Sequence, residues 1–128
     1  MNVGLVGPVA EYRVLIASTT RMMSSAVIIL TTIGESADGV AFARALVDER
    51  LAACVNVLPP MVSVYRWKGT IEEEREQQLV IKTTSDRVPG IERLFRERHP
   101  YELPEFIVLD ASASAPYVQW LAESVAET

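Results

Sequence analysis

The stretch AACVNVLPPMVSVYRWKGTIEEEREQQLVIKTT, residues 52–84, predicts a long β-hairpin around which the rest of the chain is organised. Two runs rich in Val, Ile, Thr and aromatic residues flank Lys68-Gly69, which is a short turn signal. The first arm, residues 53–67, would extend about 50 Å if it were straight, at about 3.3 Å per residue. A domain of about 100 residues has a radius of gyration of only about 13 Å. The hairpin must therefore bend or project, and Pro59-Pro60 is the expected bend because proline cannot donate to a sheet ladder.

The outer half of this hairpin is apolar on one arm and polar on the other. The first arm carries Val62, Val64, Tyr65 and Trp67, and the return arm carries Glu72, Glu73, Glu74, Arg75, Glu76, Gln77 and Gln78. The core of the same domain cannot easily reach beyond the bend, and burying one such apolar side chain is worth about 1.5–3 kcal/mol. The sequence therefore predicts self-association, with hairpins that lie on neighbouring chains and with Tyr65 and Trp67 at the subunit boundary.

Length and composition limit the classes of protein to consider. The 128 residues fit one domain, and the apolar fraction of 49% is enough for one core. The net charge of -5 argues against a nucleic-acid partner, which usually requires a basic face, and against an anionic membrane surface. No apolar run is long enough for a membrane span. The single cysteine, Cys54, excludes an internal disulfide and fits a reducing compartment.

The part of the chain before the hairpin divides into an extension, a strand and a helix. Residues 1–25 have no clear period and are interpreted as a loose N-terminal extension, so the folded domain is expected over residues 26–128. Residues 26–33, AVIILTTI, form a continuous β-branched run that is typical of a central buried strand. Ser36 is the expected N-cap of a helix that ends near Leu51. The expected inner stripe of this helix is Val40, Ala43, Leu46, Val47 and Leu51.

Two helices and one strand are predicted after the hairpin. Ser85 or Asp86 is the expected cap of a helix that runs to about Arg98. Residues 105–111, EFIVLDA, are predicted to form another central strand, and Ser114 to cap a final helix. The resulting order begins with a ferredoxin-like βαββαβ arrangement, an α+β fold with an antiparallel sheet and two helices on one face. The long β-hairpin and an extra C-terminal helix are added to that arrangement.

Four separated motifs resemble the CutA family, the divalent-ion tolerance proteins. They are ERLAACVNVLPPMVSVYRWKG (49–69), EEEREQQLVIKTT (72–84), HPYELPE (99–105) and YVQWL (117–121), and they occur in the family's order over about residues 26–125. The resemblance implies a ferredoxin-like homotrimer, similar in form to nitrogen-regulatory signalling proteins, whose hairpins pair across subunit boundaries. It also implies a soluble, cytoplasmic protein linked to copper and other divalent cations.

His99 is the first candidate metal ligand. It is the only histidine, and imidazole is the commonest side-chain ligand for copper and zinc. It matches the histidine of the family's HPY motif, although a histidine at a helix end can instead bind the last carbonyls. Some family members carry a Cys and a second His at positions that here resemble Thr31 and Arg98. Because a hydroxyl and a permanent cation replace those ligands, we expect only weak binding of Cu²⁺ or another divalent cation, with no organic cofactor.

Cys54 and Glu102 are the other candidate metal ligands. The thiolate of Cys54 would suit Cu(I), whereas a free cysteine is also a common buried apolar residue. Glu102 lies close in sequence to Glu105, and both could supply oxygen ligands or remain solvated.

A row of carboxylates on the return arm is the third candidate site. Glu72, Glu74 and Glu76 share one face because side chains alternate along a strand. They could be solvated, or they could collect cations in a cleft between subunits walled by Tyr65 and Trp67. The cations expected to pair with this row across the boundary are Arg66, Lys68 and Lys82.

The sequence offers little support for catalysis, because it has no GxSxG motif and no phosphate-binding glycine loop. We therefore expect a protein that is not an enzyme. The first hypothesis is a homotrimeric divalent-cation binding and tolerance protein whose partners are itself and metal ions. The alternative is a trimeric small-ligand sensor or signalling scaffold with ligand clefts between subunits.

Overall fold

The computed structural model describes residues 25–127, which form five strands and three α-helices. The predicted extension lies outside this part of the chain, apart from Ser25. The elements are β1 (Ala26–Gly34), α1 (Gly39–Asp48), β2 (Cys54–Val57), β3 (Met61–Trp67), β4 (Thr70–Thr84), a 3-10 turn (Ser85–Arg87), α2 (Val88–Arg98), β5 (Ile107–Asp110) and α3 (Ala115–Val125). This order confirms the predicted ferredoxin-like α+β fold, with the first arm of the hairpin divided into β2 and β3.

The strands form an antiparallel sheet in the order β2-β4-β1-β5, with β3 also paired to β4. The predicted central position of β1 is confirmed, because β1 lies between β4 and β5. The prediction of a central strand over residues 105–111 is wrong: β5 is at the sheet edge, and all four of its residues are exposed. An edge strand can be as apolar as a central strand. The apolar run alone therefore could not show which of these positions β5 takes in the sheet.

The predicted turn and bend of the hairpin are both present. Lys68 and Gly69 have φ of 50° and 84°, the left-handed conformation that a tight two-residue hairpin turn requires. Val57 pairs with Leu79 and Met61 with Glu76, so three residues on one strand face two on the other. This bulge contains Pro59-Pro60, whose missing N–H groups cost nothing where the ladder is interrupted.

Beyond the bulge, the hairpin becomes a two-stranded ribbon. The pairing of β1 with β4 ends where Gly34 meets Glu76. Residues 70–75 therefore form ladder pairs only with β3, although the Glu35 N–H still donates to the Arg75 carbonyl at 3.1 Å. We call residues 61–75 the outer ribbon, and its separation from the sheet confirms that the hairpin projects.

The helices α1 and α2 supply the core together with one face of the sheet. The fully or nearly fully buried cluster is Ile29, Leu46, Ala52, Ile81, Ile91, Leu94 and Phe95. Helix α1 buries Gly39, Ala43 and Leu46, whereas Val40 and Val47 are 58% and 41% exposed, so their predicted inner positions are wrong. Gly39 approaches the sheet so closely that a Cβ there would lie 3.0 Å from Gln77 Oε1. The buried stripe thus begins at Gly39 and leaves the two valines exposed.

The helix caps agree with the sequence prediction only for α3, where Ser114 Oγ accepts a hydrogen bond from the Tyr117 N–H at 3.3 Å. The N-cap of α1 is Asp38 rather than Ser36, because Asp38 Oδ1 accepts from the Ala41 N–H at 2.9 Å. Neither Ser85 nor Asp86 caps α2, since both lie in the preceding 3-10 turn. Across residues 25–127, no helix combines the length and apolar character needed to cross a membrane.

Candidate functional site

The two faces of the outer ribbon differ in character. Directly paired residues share a face, so Met61, Ser63, Tyr65 and Trp67 lie on the same side as Thr70, Glu72, Glu74 and Glu76. We call this the aromatic face. The opposite side, the valine face, carries Val62, Val64 and Ile71, which are 55%, 64% and 56% exposed, together with the charged Arg66, Glu73 and Arg75. The single chain thus leaves three branched apolar side chains largely uncovered.

A cleft of about 860 Å³ lies between the aromatic face and the loop of residues 100–105. Its size falls in the usual range for small-molecule sites. The cleft is lined by the rings of Tyr65, Trp67 and Tyr101, by the carboxylates of Glu74, Glu76, Glu102 and Glu105, and by Thr32, Met61, Ser63, Val64, Gln78, Pro100, Leu103 and Pro104. No Lys, Arg or His belongs to this lining. The cleft lining is therefore rich in carboxylates and aromatic rings.

Two hydrogen-bonded side chains fix the floor of the cleft. Glu76 is only 7% exposed, and the Tyr101 hydroxyl donates to its Oε2 at 2.6 Å. Gln78 Nε2 donates to the Thr31 carbonyl at 2.7 Å and to Glu105 Oε2 at 3.1 Å. These contacts tie the loop to β4 and β1, so the two carboxylates of the floor are held in place.

The cleft keeps its tyrosine hydroxyls protonated. Burial raises the pKa of Tyr101 well above its usual value, and the hydrogen bond and negative charge of Glu76 raise it further. Partial burial also raises the pKa of Tyr65, with added effects from Glu74, Glu76 and Glu72. Both pKa shifts follow mainly from the cost of burying a phenolate, and the neighbouring carboxylates add to that cost. Four carboxylates and no basic side chain line the cleft, so its electrostatic potential is negative.

His99 lies behind the cleft and holds the loop. Its side chain is buried, at 8% exposure, and Nε2 lies 2.9 Å from the Thr32 carbonyl oxygen. The Tyr101 N–H donates to Nδ1 at 3.1 Å, so Nδ1 carries no proton and Nε2 donates to Thr32. The rings of Phe42, Phe95 and Tyr101 surround the imidazole at centroid distances of 5.0–5.6 Å.

This environment favours a neutral imidazole with a structural role. Burial lowers the pKa of His99, against smaller opposing effects of the Thr32 hydrogen bond and the Glu76 charge. Both ring nitrogens are used, so metal coordination would require one hydrogen bond to break. The alternative interpretation, a helix-end histidine at the last carbonyls, holds only for the backbone, because the His99 N–H donates to the Phe95 carbonyl whereas the partner of the ring is Thr32 on β1.

The other predicted metal ligands lie apart from His99. Cys54 is half-buried on β2, opposite Lys82 of β4. Glu102 is exposed, with Oε1 at 3.8 Å from Lys68 Nζ. Within residues 25–127, no group of three or more His, Cys, Asp or Glu residues is placed to hold a metal ion. His99, Cys54 and Glu102 therefore form no joint metal centre in one chain, and binding by any one of them stays a prediction.

The two positions where some family members carry further ligands have other roles. Thr31 is fully buried, and its hydroxyl has no hydrogen-bond partner among the described residues. Arg98 Nη1 forms an ion pair with Glu49 Oε2 at 2.7 Å. Neither side chain offers a lone pair suited to a soft metal.

The structure brings together only part of the predicted boundary set. Tyr65, Trp67, Glu74 and Glu76 line the cleft with Glu102. Glu72 shares their face but not the cleft lining, and Lys82 lies farther along β4. The ion pairs within residues 25–127 do not include the carboxylates of Glu72, Glu74 or Glu76.

Sequence reasoning assigned no role to Tyr101 or Gln78 and only a general one to Glu105. Tyr101 and Glu105 belong to HPYELPE, so the motif itself was the available signal. Their partners on β4 are 25 and 27 residues away in sequence, a distance over which no local pattern operates.

Residues 27–124 match the family described as CutA1 divalent ion tolerance protein. The chain belongs to this CutA family. Human Protein CutA is 47% identical over 90 residues, which is 67% of this chain and 50% of the human protein. The divalent-cation tolerance protein CutA of Thermus thermophilus is 39% identical over 98 residues, covering 76% of this chain and 95% of that protein. This CutA chain thus matches about half the length of the human relative and nearly all of the bacterial one.

Solved structures of CutA proteins have the same fold. CutA from Xylella fastidiosa gives a TM-score of 0.73 at 42% identity, covering 80% of this chain and 100% of that one. CutA1 from Ehrlichia chaffeensis gives 0.76 at 28% identity, covering 82% and 99%. The matched region of the CutA family contains the outer ribbon, the cleft and His99.

Proposed function

We propose that this CutA chain forms a homotrimer that binds divalent cations weakly, copper among them, and contributes to divalent-cation tolerance in the cytoplasm. It acts as a binding protein rather than as an enzyme. The observation that carries the assembly is the valine face, whose Val62, Val64 and Ile71 are each more than half exposed. The tolerance role is supported by the name of the Thermus relative, 95% of which this chain covers.

A ring of copies is supported by two unlike surfaces on each chain. The outer ribbon projects from one part of the fold, and β5 presents an edge with Ile107, Val108 and Leu109 at 39–46% exposure. Contact between two different surfaces is head-to-tail, and such contacts close into rings when the rotation permits. If the outer ribbon of each chain packs against the β5 edge of a neighbouring chain, both surfaces are covered. The resemblance to the CutA family implies that three chains form the ring.

Cation binding is supported by the acidic cleft rather than by the imidazole. Glu74, Glu76, Glu102 and Glu105 line it, and carboxylate oxygens are the preferred ligands of hard divalent cations, although no three of these carboxylates are placed to hold one ion together. Both nitrogens of His99 are engaged in hydrogen bonds. Binding through one or two carboxylates and water accounts for a weak and poorly selective site.

Calorimetric titration of the full-length protein with Cu²⁺ and Mg²⁺ tests this proposal. We expect weak binding of both ions, reduced about fivefold by Glu102→Gln, which corresponds to about 1 kcal/mol. The control is Glu92→Gln, because Glu92 is exposed on α2 and the charge change is the same. No binding by the unmodified protein, or equal losses in the two variants, would contradict cation binding at the cleft.

A second function is supported by the volume and walls of the same cleft. A pocket of about 860 Å³ with aromatic walls and a few fixed polar groups is typical of a small-molecule site. On this alternative, the trimer is a small-ligand sensor or signalling scaffold. A ligand would raise the melting temperature, since it stabilises the state that it binds.

A further inference from the structure

We propose that the cleft between the aromatic face and the loop of residues 100–105 binds a small organic cation, either a protonated amine or a quaternary ammonium. This inference rests on the second function above, the small-ligand cleft, and it names the ligand class. Three features of the cleft carry it: an accessible carboxylate at the floor with no cationic partner among the described residues, neutral aromatic walls, and an ammonium group of the chain itself near one ring and one carboxylate of the lining.

The carboxylate at the floor is Glu76. At 7% exposure it is nearly buried, and its Oε2 accepts the hydroxyl of Tyr101. Within the described part of the chain, its Oε1 accepts no hydrogen bond and neither oxygen has a cationic partner. Glu76 Oε1 is not among the buried side-chain atoms that lack a hydrogen-bond partner, so it is accessible from the cleft. A cation that enters the cleft would supply the counter-charge.

The walls suit a cation that is only weakly hydrated. The faces of Tyr65, Trp67 and Tyr101 attract positive charge because an aromatic ring is negative above its plane. Quaternary ammonium groups are recognised in this way, since their methyl groups contact rings without losing strong hydrogen bonds to water. The cleft therefore combines the two groups that such a ligand needs, rings and carboxylates.

Lys68 shows these contacts within the chain itself. Its ammonium lies 5.4 Å from the centre of the Trp67 ring and 3.8 Å from Glu102 Oε1. One aromatic ring and one carboxylate thus lie near an ammonium at this end of the ribbon, in an exposed contact that contributes little stability. The deeper part of the cleft offers the same combination in Tyr65, Tyr101 and Glu76, with Glu74 beside them.

Metal ions and anions fit the deeper part less well. A divalent metal needs several oxygen ligands that converge on one point, and residues 25–127 contain no group of three acidic, histidine or cysteine side chains so placed. An anion would meet four carboxylates and no basic residue in the lining. An organic cation spreads its charge over several atoms, so separated carboxylates can share it.

Choline and its uncharged analogue 3,3-dimethyl-1-butanol test the inference on the full-length assembly. They have nearly the same shape, so calorimetric titration isolates the effect of the charge. We expect choline to bind at least about tenfold more tightly, a difference of about 1.4 kcal/mol. Glu74→Gln and Glu76→Gln should each weaken choline binding severalfold, while Glu92→Gln on α2 should leave it unchanged. Glu74 is exposed, so its substitution tests the charge without disturbing the fold.

The contrary outcomes separate this inference from the functions on which it rests. Equal affinity for choline and the uncharged analogue would overturn the cationic class and leave a small-ligand cleft. Binding of neither compound, in protein that still binds Cu²⁺ or Mg²⁺, would overturn the inference and leave the divalent-cation proposal. Choline affinity that falls equally in Glu92→Gln would place the binding outside the cleft and overturn the site.

Discussion

Replacing Val62 and Val64 together by Asp is expected to dissociate the assembly into monomers. Both side chains lie on the valine face of the outer ribbon, where they are 55% and 64% exposed in the single chain. If a neighbouring copy covers them, the exposed half of each side chain contributes about 1 kcal/mol of burial, and a buried, unpaired carboxylate costs further free energy. Light scattering coupled to size exclusion, at micromolar protein, measures the mass of the variant.

Val40→Asp is the matched control for this experiment. Val40 is 58% exposed on α1, outside the ribbon, so a single Val→Asp change at similar exposure, compared with Val62→Asp and Val64→Asp singly, should leave the mass unaltered. The double variant should keep its secondary structure by circular dichroism, since neither valine belongs to the core cluster. An unchanged mass for the double variant would contradict the assignment of the valine face to an interface.

His99→Ala is expected to lower the free energy of unfolding by about 3 kcal/mol. The substitution removes a buried ring packed against Phe42, Phe95 and Tyr101. It also leaves the Thr32 carbonyl and the Tyr101 N–H without their partners. Cavity formation and unsatisfied buried polar groups each cost a few kcal/mol. Chemical denaturation at one fixed protein concentration measures the difference, because assembly makes stability concentration-dependent.

The pH dependence of stability provides a second result that a general packing defect would not give. Burial lowers the pKa of His99 in the folded protein, whereas an unfolded histidine titrates near 6.5. The unfolded chain therefore binds the proton first, and stability falls as the pH drops through about 6.5 toward the lower folded pKa, by at most about 1.4 kcal/mol per pH unit. His99 is the only histidine, so His99→Ala should show a shallower decline. Parallel curves for the two proteins would contradict the buried neutral imidazole.

The sequence predicted the features of the hairpin that depend on local chemistry. Lys68-Gly69 forms the turn because both residues adopt positive φ, and Pro59-Pro60 lies in the bulge because proline donates no hydrogen bond. The exposed Val62 and Val64 agree with the argument that the core of one chain cannot cover the far end of the hairpin. These conclusions required only short-range rules and the reach of an extended chain.

The features that the sequence did not predict depend on distant contacts. The Thr32 carbonyl that accepts a hydrogen bond from His99 is 67 residues away in sequence. The residues next to His99 in the sequence therefore indicated only a metal ligand or a helix end. The cleft forms only where the loop of residues 100–105 meets the outer ribbon. The edge position of β5 follows from the order of strands in the sheet. The apolar sequence of β5 does not determine that order.

The mass of the full-length protein in native buffer tests the central proposal most directly. Sedimentation equilibrium at micromolar concentration should give about 43 kDa, corresponding to three chains of 14.2 kDa. A well-folded species of 14.2 kDa under the same conditions would show that a single chain tolerates its exposed ribbon, and it would contradict the trimer.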